Sequence, residues 1–243
     1  MARPVREDIR QQTVEEIKTV ARRQMGQSGT AGLSLRAIAR EMEITAPAIY
    51  NYFPSLDALI TALIIDGFAG LAEALEQAGT ASSGATAVAR LRAVLLEYRQ
   101  WAVEHPVEFQ LIYGNPIPGY VAPAEITVPL VQRGFVALAH PLVAAWDAGE
   151  VRLPMAYAAM PATVLPAIRL IREQFAPPYP DGLIYALIVA WTRIHGMITL
   201  ELFHHTPPTV GDAEAFYQHE VEGFIRQLII DNERQRREMG NGK

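Results

Sequence analysis

The stretch SLRAIAREMEITAPAIYNYF, residues 34–53, decides how this chain is read. Leu35, Ile38, Ala39 and Met42 recur at intervals of three and four, which places them on one helical face. Arg36, Arg40 and Glu41 fall on the wet side, and Glu43-Ile44 makes a turn. Ser34 is the N-cap candidate of the first helix, because its hydroxyl can accept an orphan N–H one turn on. Thr45 is the N-cap candidate of a second helix, with Pro47 in its first turn, where a missing N–H costs little. Ile49, with Tyr52 or Phe53, is expected to bury that second helix, and small Ala39 to sit where the two helices cross. Pro54 ends the segment. Ser55 is expected to cap a further helix, with Asp57 in its positive first turn.

Two short helices joined by a tight turn are the arrangement with which proteins place a helix in the major groove of DNA. By periodicity alone, an ordinary helical hairpin fits equally well. The order of residue types separates the two. The run Ala39…Ile44-Thr45-Ala46-Pro47-Ala48-Ile49-Tyr50-Asn51-Tyr52-Phe53…Asp57-Ala58-Leu59 resembles the helix-turn-helix of the TetR family of transcription regulators. The resemblance implies a recognition helix from Thr45 to Tyr52. It also implies DNA contacts from Ser34, Arg36, Thr45, Ala46, Pro47, Tyr50, Asn51, Tyr52 and Ser55. Two positions depart from the family pattern. Glu43 stands where glycine is usual, so a residue with a Cβ is expected at positive φ, at a cost of about 1 kcal/mol. Leu56 stands where a basic residue is common, which removes one phosphate contact and lowers the salt slope by about one.

The net charge of −5 runs against nucleic-acid binding until the chain is divided. Residues 1–53 hold eight basic and six acidic side chains, while the remainder holds 13 and 20. Basic character is therefore confined to Arg3, Arg6, Arg10, Lys18, Arg22, Arg23, Arg36 and Arg40. A dimer presents this modest surplus twice to one duplex. No cysteine is present, which excludes disulfides and thiolate metal sites and fits a cytoplasmic protein. MARPVREDIRQQ lacks the apolar run of a signal peptide. The uncharged stretch 153–168 is 16 residues long and broken by three prolines, so no membrane association is expected.

Periodicity predicts an all-α chain. Helices are expected at 6–28, 55–78, 87–104, 106–113, 128–147, less regularly 155–175, then 182–205 and 213–237. Arg3 to Arg6 read as an arm ahead of the first helix. GNPIPGYVAPAEITVP, 114–129, reads as a long loop too apolar to face water, so it is expected to lie on something. The division expected is a DNA-binding domain at 1–54, a larger ligand-binding and dimerisation domain at 55–237, and a disordered tail at 238–243.

Trp191, His195 and Gly196 resemble the Trp-His-Gly signature of one subgroup of TetR-family C-terminal domains. The family resemblance implies a homodimer on a palindromic operator, paired through the last two long helices, and a small-molecule effector. Aromatic and soft residues with sparse polar anchors have the character of such a site. Trp101, His105, Phe109, Tyr113, Met160, Arg169, Trp191 and His195 are its candidates, although each aromatic also suits a packed core. Neither a cofactor nor a metal is expected. Two other readings remain: a helical enzyme using His195 beside Glu201, and a dimeric scaffold without an effector.

Overall fold

The computed structural model describes residues 3–229 apart from 82–83, 116, 155–156, 158–159 and 176–178. It is all-α, as the periodicity predicts. Helices α1 (Arg3–Ser28), α2 (Leu35–Glu41), α3 (Ala46–Ile49) and α4 (Leu56–Ala81) are followed by α5 (Ala87–Glu104), α6 (Pro106–Tyr113) and α7 (Ala124–Asp147). Then come α8 (Leu165–Phe175), α9 (Asp181–Leu202), the single turn α10 (Pro207–Val210) and α11 (Ala213–Leu228).

The expected boundaries of α5 and α6 are met; α4 runs on to Ala81, α8 covers only Leu165–Phe175 of the expected 155–175, and four further elements differ. α1 begins at Arg3, so the expected arm is its first turn. α7 begins at Ala124 and carries Pro129 in its interior, where the ring nitrogen has no hydrogen to give the Glu125 carbonyl. α9 stops at Leu202, because His204 turns left-handed at φ 61° and His205 N–H closes onto the Leu200 carbonyl at 2.8 Å. α11 stops at Leu228: Ile229 is extended and bridges to Val151, and the Arg152 N–H donates to the Leu228 carbonyl at 2.8 Å. The expected tail, 238–243, lies outside the described residues.

Contacts divide the chain into two compact units. One combines Met1–Leu71 with Glu104–Val131, and the other combines Ala72–Val103 with Gln132–Lys243. The first unit thus extends well past residue 54. Its core joins Ile17, Ala21 and Met25 of α1 to Leu35 and Ile38 of α2, Ile49 of α3 and Leu59, Leu63 and Phe68 of α4. Val107, Leu111 and Ile112 of α6 pack on the same cluster, as do Ile117 and Tyr120. The apolar loop after α6 therefore does lie on something. Ile9 of α1 is 58% exposed.

In the second unit, Leu91, Val94, Leu95, Tyr98, Trp101 and Ala102 recur at helical spacing and form the buried face of α5. Arg99 is buried with them. It forks onto Glu201 of α9, with Nε and Nη2 at 2.8 and 2.6 Å from the two carboxylate oxygens. Glu214 lies 3.7 Å from its third nitrogen, and the Tyr217 ring lies beneath it. The Tyr217 hydroxyl donates to the Leu95 carbonyl at 2.7 Å, and burial pushes that phenol's pKa up. One guanidinium so ties α5, α9 and α11. The Glu150 carboxylate caps α5 by accepting from the Ala87 and Val88 N–H groups at 3.2 and 2.9 Å.

α4, α7 and α9 are each long and apolar enough, by length and composition, to cross a membrane. The uncharged run at 153–168 did not reveal this. Leu59, Leu63, Leu71 and Leu75 of α4, and Leu183, Ile184, Leu187 and Ile194 of α9, are buried in helix packing.

Arg99→Ala is expected to lower stability by about 2–4 kcal/mol, since it leaves the half-buried Glu201 carboxylate without its fork. Urea unfolding followed by circular dichroism measures this. Arg99→Lys should recover only part of the loss, because an ammonium cannot bind both oxygens in one plane.

Candidate nucleic-acid interface

α2 is held by burying Leu35, Ile38 and Ala39, and α3 by burying Ile49. α3 proper covers four residues. Helical turns continue past it, with Asn51 N–H on the Ala48 carbonyl at 3.1 Å and Tyr52 and Phe53 N–H on the Ile49 carbonyl at 3.0 Å. The expected recognition segment 45–52 is therefore one helical turn plus its continuation. Between α2 and α3, Glu43 sits at φ 56°, the left-handed geometry expected where glycine is usual. The Ile44 N–H returns to the Ala39 carbonyl at 3.0 Å and closes the turn.

Arg36, Thr45, Ala46, Pro47, Tyr50, Asn51 and Ser55 are exposed, and Ser34 and Tyr52 are half-buried. Two expected caps are corrected. Ser34 and Thr45 occupy N-cap positions, but neither side chain makes a cap bond. Their backbone carbonyls take the first N–H instead, from Ile38 at 3.0 Å and from Ala48 at 2.9 Å. Ser55 does cap α4, accepting from the Ala58 N–H at 3.1 Å.

The basic residues separate into two groups. Lys18 bridges Glu15 and Asp66 at 2.9 and 2.8 Å, and these carboxylates hold its pKa up against the burial that would depress it. Arg22 joins Asp66 of α4 at 2.6 Å to Glu108 of α6 at 3.2 Å. Arg23 pairs with Glu41, whose pKa is lowered by its bonds from Gln24 and Arg23. These three charges serve the fold. Arg36 and Arg40 are exposed and join none of the ion pairs found among the described residues.

Sequence reasoning gave Arg10 no individual role. It donates Nη2–H to the Asn51 carbonyl at 2.9 Å, and its guanidinium lies 5.4 Å from the centre of the Tyr52 ring. It latches α1 to the end of the recognition segment. Only its membership of the basic cluster marked it in the sequence.

Comparison with known proteins bears on this geometry. Residues 17–63 match the family described as bacterial regulatory proteins, tetR family. Residues 91–224 match the tetracyclin repressor-like C-terminal domain. The HTH-type transcriptional regulators Rv1816 of Mycobacterium tuberculosis and Mb1846 of Mycobacterium bovis are each 33% identical over 198 residues, covering 82% of this chain and 84% of theirs. The solved structure of the regulatory protein SCO4313 superposes with a TM-score of 0.74 at 29% identity, covering 90% of this chain and 97% of that one. The chain belongs to the TetR family of transcriptional regulators. Its relatives are DNA-binding regulators and not enzymes.

In this TetR-family chain the eight effector candidates are divided between the two units. His195 of α9 accepts or donates at Nδ1 to the Tyr98 hydroxyl, 2.8 Å away, and its ring lies 5.1 Å from that of Trp191. Burial depresses the pKa of this imidazole, so it stays neutral at physiological pH. Glu201, its supposed catalytic partner, is held by Arg99. Trp101 is buried on α5 in the same unit. Phe109 and Tyr113 belong to the first unit, their rings 5.3 Å apart, with Phe68 edge-on to Tyr113 at 5.7 Å. His105 also falls in the first unit, immediately before α6. Met160 is half-buried ahead of α8. Arg169 is exposed and gives its Nε–H to Asp181 at 3.1 Å.

A cavity of about 310 Å³ in the first unit escaped sequence reasoning. Ile64 and Phe68 of α4, Leu111 and Ile112 of α6, and Ile117 and Tyr120 of the following loop wall it. The apolar character of that loop was the signal that could have marked it.

Arg10→Ala is expected to weaken operator binding about fivefold or more by loosening the recognition segment. Its salt dependence should stay that of the wild type. Anisotropy titrations at several salt concentrations measure both. A slope reduced by about one would place Arg10 on a phosphate instead.

Proposed function

We propose that the chain is a homodimeric, sequence-specific repressor whose two recognition segments read successive major grooves of a palindromic operator. A small, mostly apolar ligand releases it from DNA. Residues 1–54 carry the reading surface, and 55–237 carry effector binding and dimerisation. Ser34, Arg36, Thr45 to Pro47, Tyr50 to Tyr52 and Ser55 are the DNA-facing set, which the exposure of all but the half-buried Ser34 and Tyr52 supports. Family membership supports a cytoplasmic location and action without a membrane, as does burial of the apolar faces of α4 and α9. Trp191, His195 and Gly196 support assignment to the Trp-His-Gly subgroup.

The observation that carries the dimer is a pair of glycines. A Cβ placed on Gly196 of α9 or Gly223 of α11 meets nothing within 4 Å. Within one chain neither glycine is needed for packing, and each costs its helix about 1 kcal/mol relative to alanine. The two follow Arg193 and Glu220 by one turn, and those side chains pair at 3.4 Å. Both glycines thus flank one ion pair, and Leu200, one turn beyond Gly196, is 51% exposed. A second helix pair laid on this face would use the missing side chains as close-approach points.

A gel-shift assay with the region upstream of its own gene should show sequence-dependent binding at low salt. No such binding would overturn the proposal. Gly196→Leu is expected to leave helix content unchanged, convert the dimer to monomer by light scattering, and weaken operator binding by at least about 100-fold. A Gly196→Leu protein that remains dimeric would remove α9 from the interface.

A further inference from the structure

The cavity between α4, α6 and the loop after α6 lies wholly within the unit that carries the recognition segment. Its apolar walls have Phe68 and Tyr120 as the ring-bearing faces. Asn115, Thr127 and Tyr120 supply the polar side chains. No charged side chain lines it among the described residues.

Local geometry keeps this space open. A Cβ at Gly114 would stand 2.2 Å from the Gln110 carbonyl oxygen, so the chain can leave α6 here only through glycine. Beside the cavity, a Cβ at Gly67 would meet Ile112 at 2.9 Å, so α4 and α6 are already in near contact. They cannot close the space by approaching further. Tyr120 is held in place by a 2.9 Å bond between its hydroxyl and that of Thr61. A phenol can both donate and accept, so one bond still leaves capacity for a ligand. The Thr127 hydroxyl is turned to the Pro123 carbonyl at 3.0 Å.

Resting on the reading that an effector exists, we infer that this cavity is where it binds, and that the occupant is a neutral molecule of one or two fused rings bearing a single hydroxyl or carbonyl. The pocket is half open, and its volume stands at the lower end for small-molecule sites. An ionised ligand would find no countercharge among the described lining residues to offset the hydration it gives up against the apolar walls. Tyr120 is the hydrogen-bond partner. The carboxylates that hold Arg22 of α1 stand on the two walls, Asp66 on α4 and Glu108 on α6, so an occupant acts within the reading unit.

Isothermal titration of the full chain with 1-naphthol, and with naphthalene-1-sulfonate as charged counterpart, tests the assignment. Saturable binding of 1-naphthol is expected, with the sulfonate weaker by about tenfold or more. Val131→Phe and Ala122→Leu, two independent ways of filling the space, should each weaken naphthol binding by about tenfold or more, while thermal melts show both variants folded. Tyr120→Phe should weaken it about threefold to tenfold. Absence of saturable naphthol binding, or wild-type affinity in both filled variants, overturns the assignment. A gel shift on the same preparations separates the two questions. Its failure counts against the regulator reading, whereas failure of titration beside a normal shift counts against the cavity alone.

Discussion

A recognition helix of one turn cannot hold its own shape in water, because nucleation fixes more backbone freedom than so few hydrogen bonds return. Here that constraint is met by burial. Ile49 is fully buried and Phe53 is 6% exposed, both in a core that α1, α2 and α4 complete. The left-handed turn at Glu43 sets the angle at which α3 leaves α2, and Arg10 holds the far end. Any change that opens the core below Ile49 moves every side chain offered to DNA at once. The exposed residues choose the sequence, but the buried ones decide whether there is a surface to choose with.

The same unit explains a thin electrostatic footprint. Lys18, Arg22 and Arg23 look like part of a basic patch in sequence, yet all three are paired to carboxylates that bind α1 to α2, α4 and α6. Arg36 and Arg40 are left exposed, outside the ion pairs found among the described residues. Non-specific affinity scales with the number of phosphates neutralised, so a single copy starts from weak binding. Joining two copies converts the second engagement into an intramolecular event, and this multiplies affinity without any added contact.

Much of this was legible in residue order. The helix-turn-helix, the inward face of α5, the cap at Ser55 and the strained turn at Glu43 all follow from local chemistry and helical spacing. What was not legible depends on partners distant in the chain. Arg99 lies four residues after Leu95 on an apolar face, so spacing could flag it, but only the fold supplies Glu201, 102 residues later. α11 ends early because Ile229 finds Val151, a pairing no local signal announces. Aromatic residues mark core and pocket alike, so spacing alone cannot separate the two. The cavity's clearest sequence mark was a loop too apolar to be solvated.

The central claim is that reading DNA requires two chains. It is tested most directly by analytical ultracentrifugation of the protein with labelled duplexes carrying either both half-sites or one, the sequence taken from a footprint. Two chains per full site are predicted, with affinity for the half-site lower by about 100-fold or more. A single chain bound to the half-site within a few-fold of the full-site affinity would contradict the account.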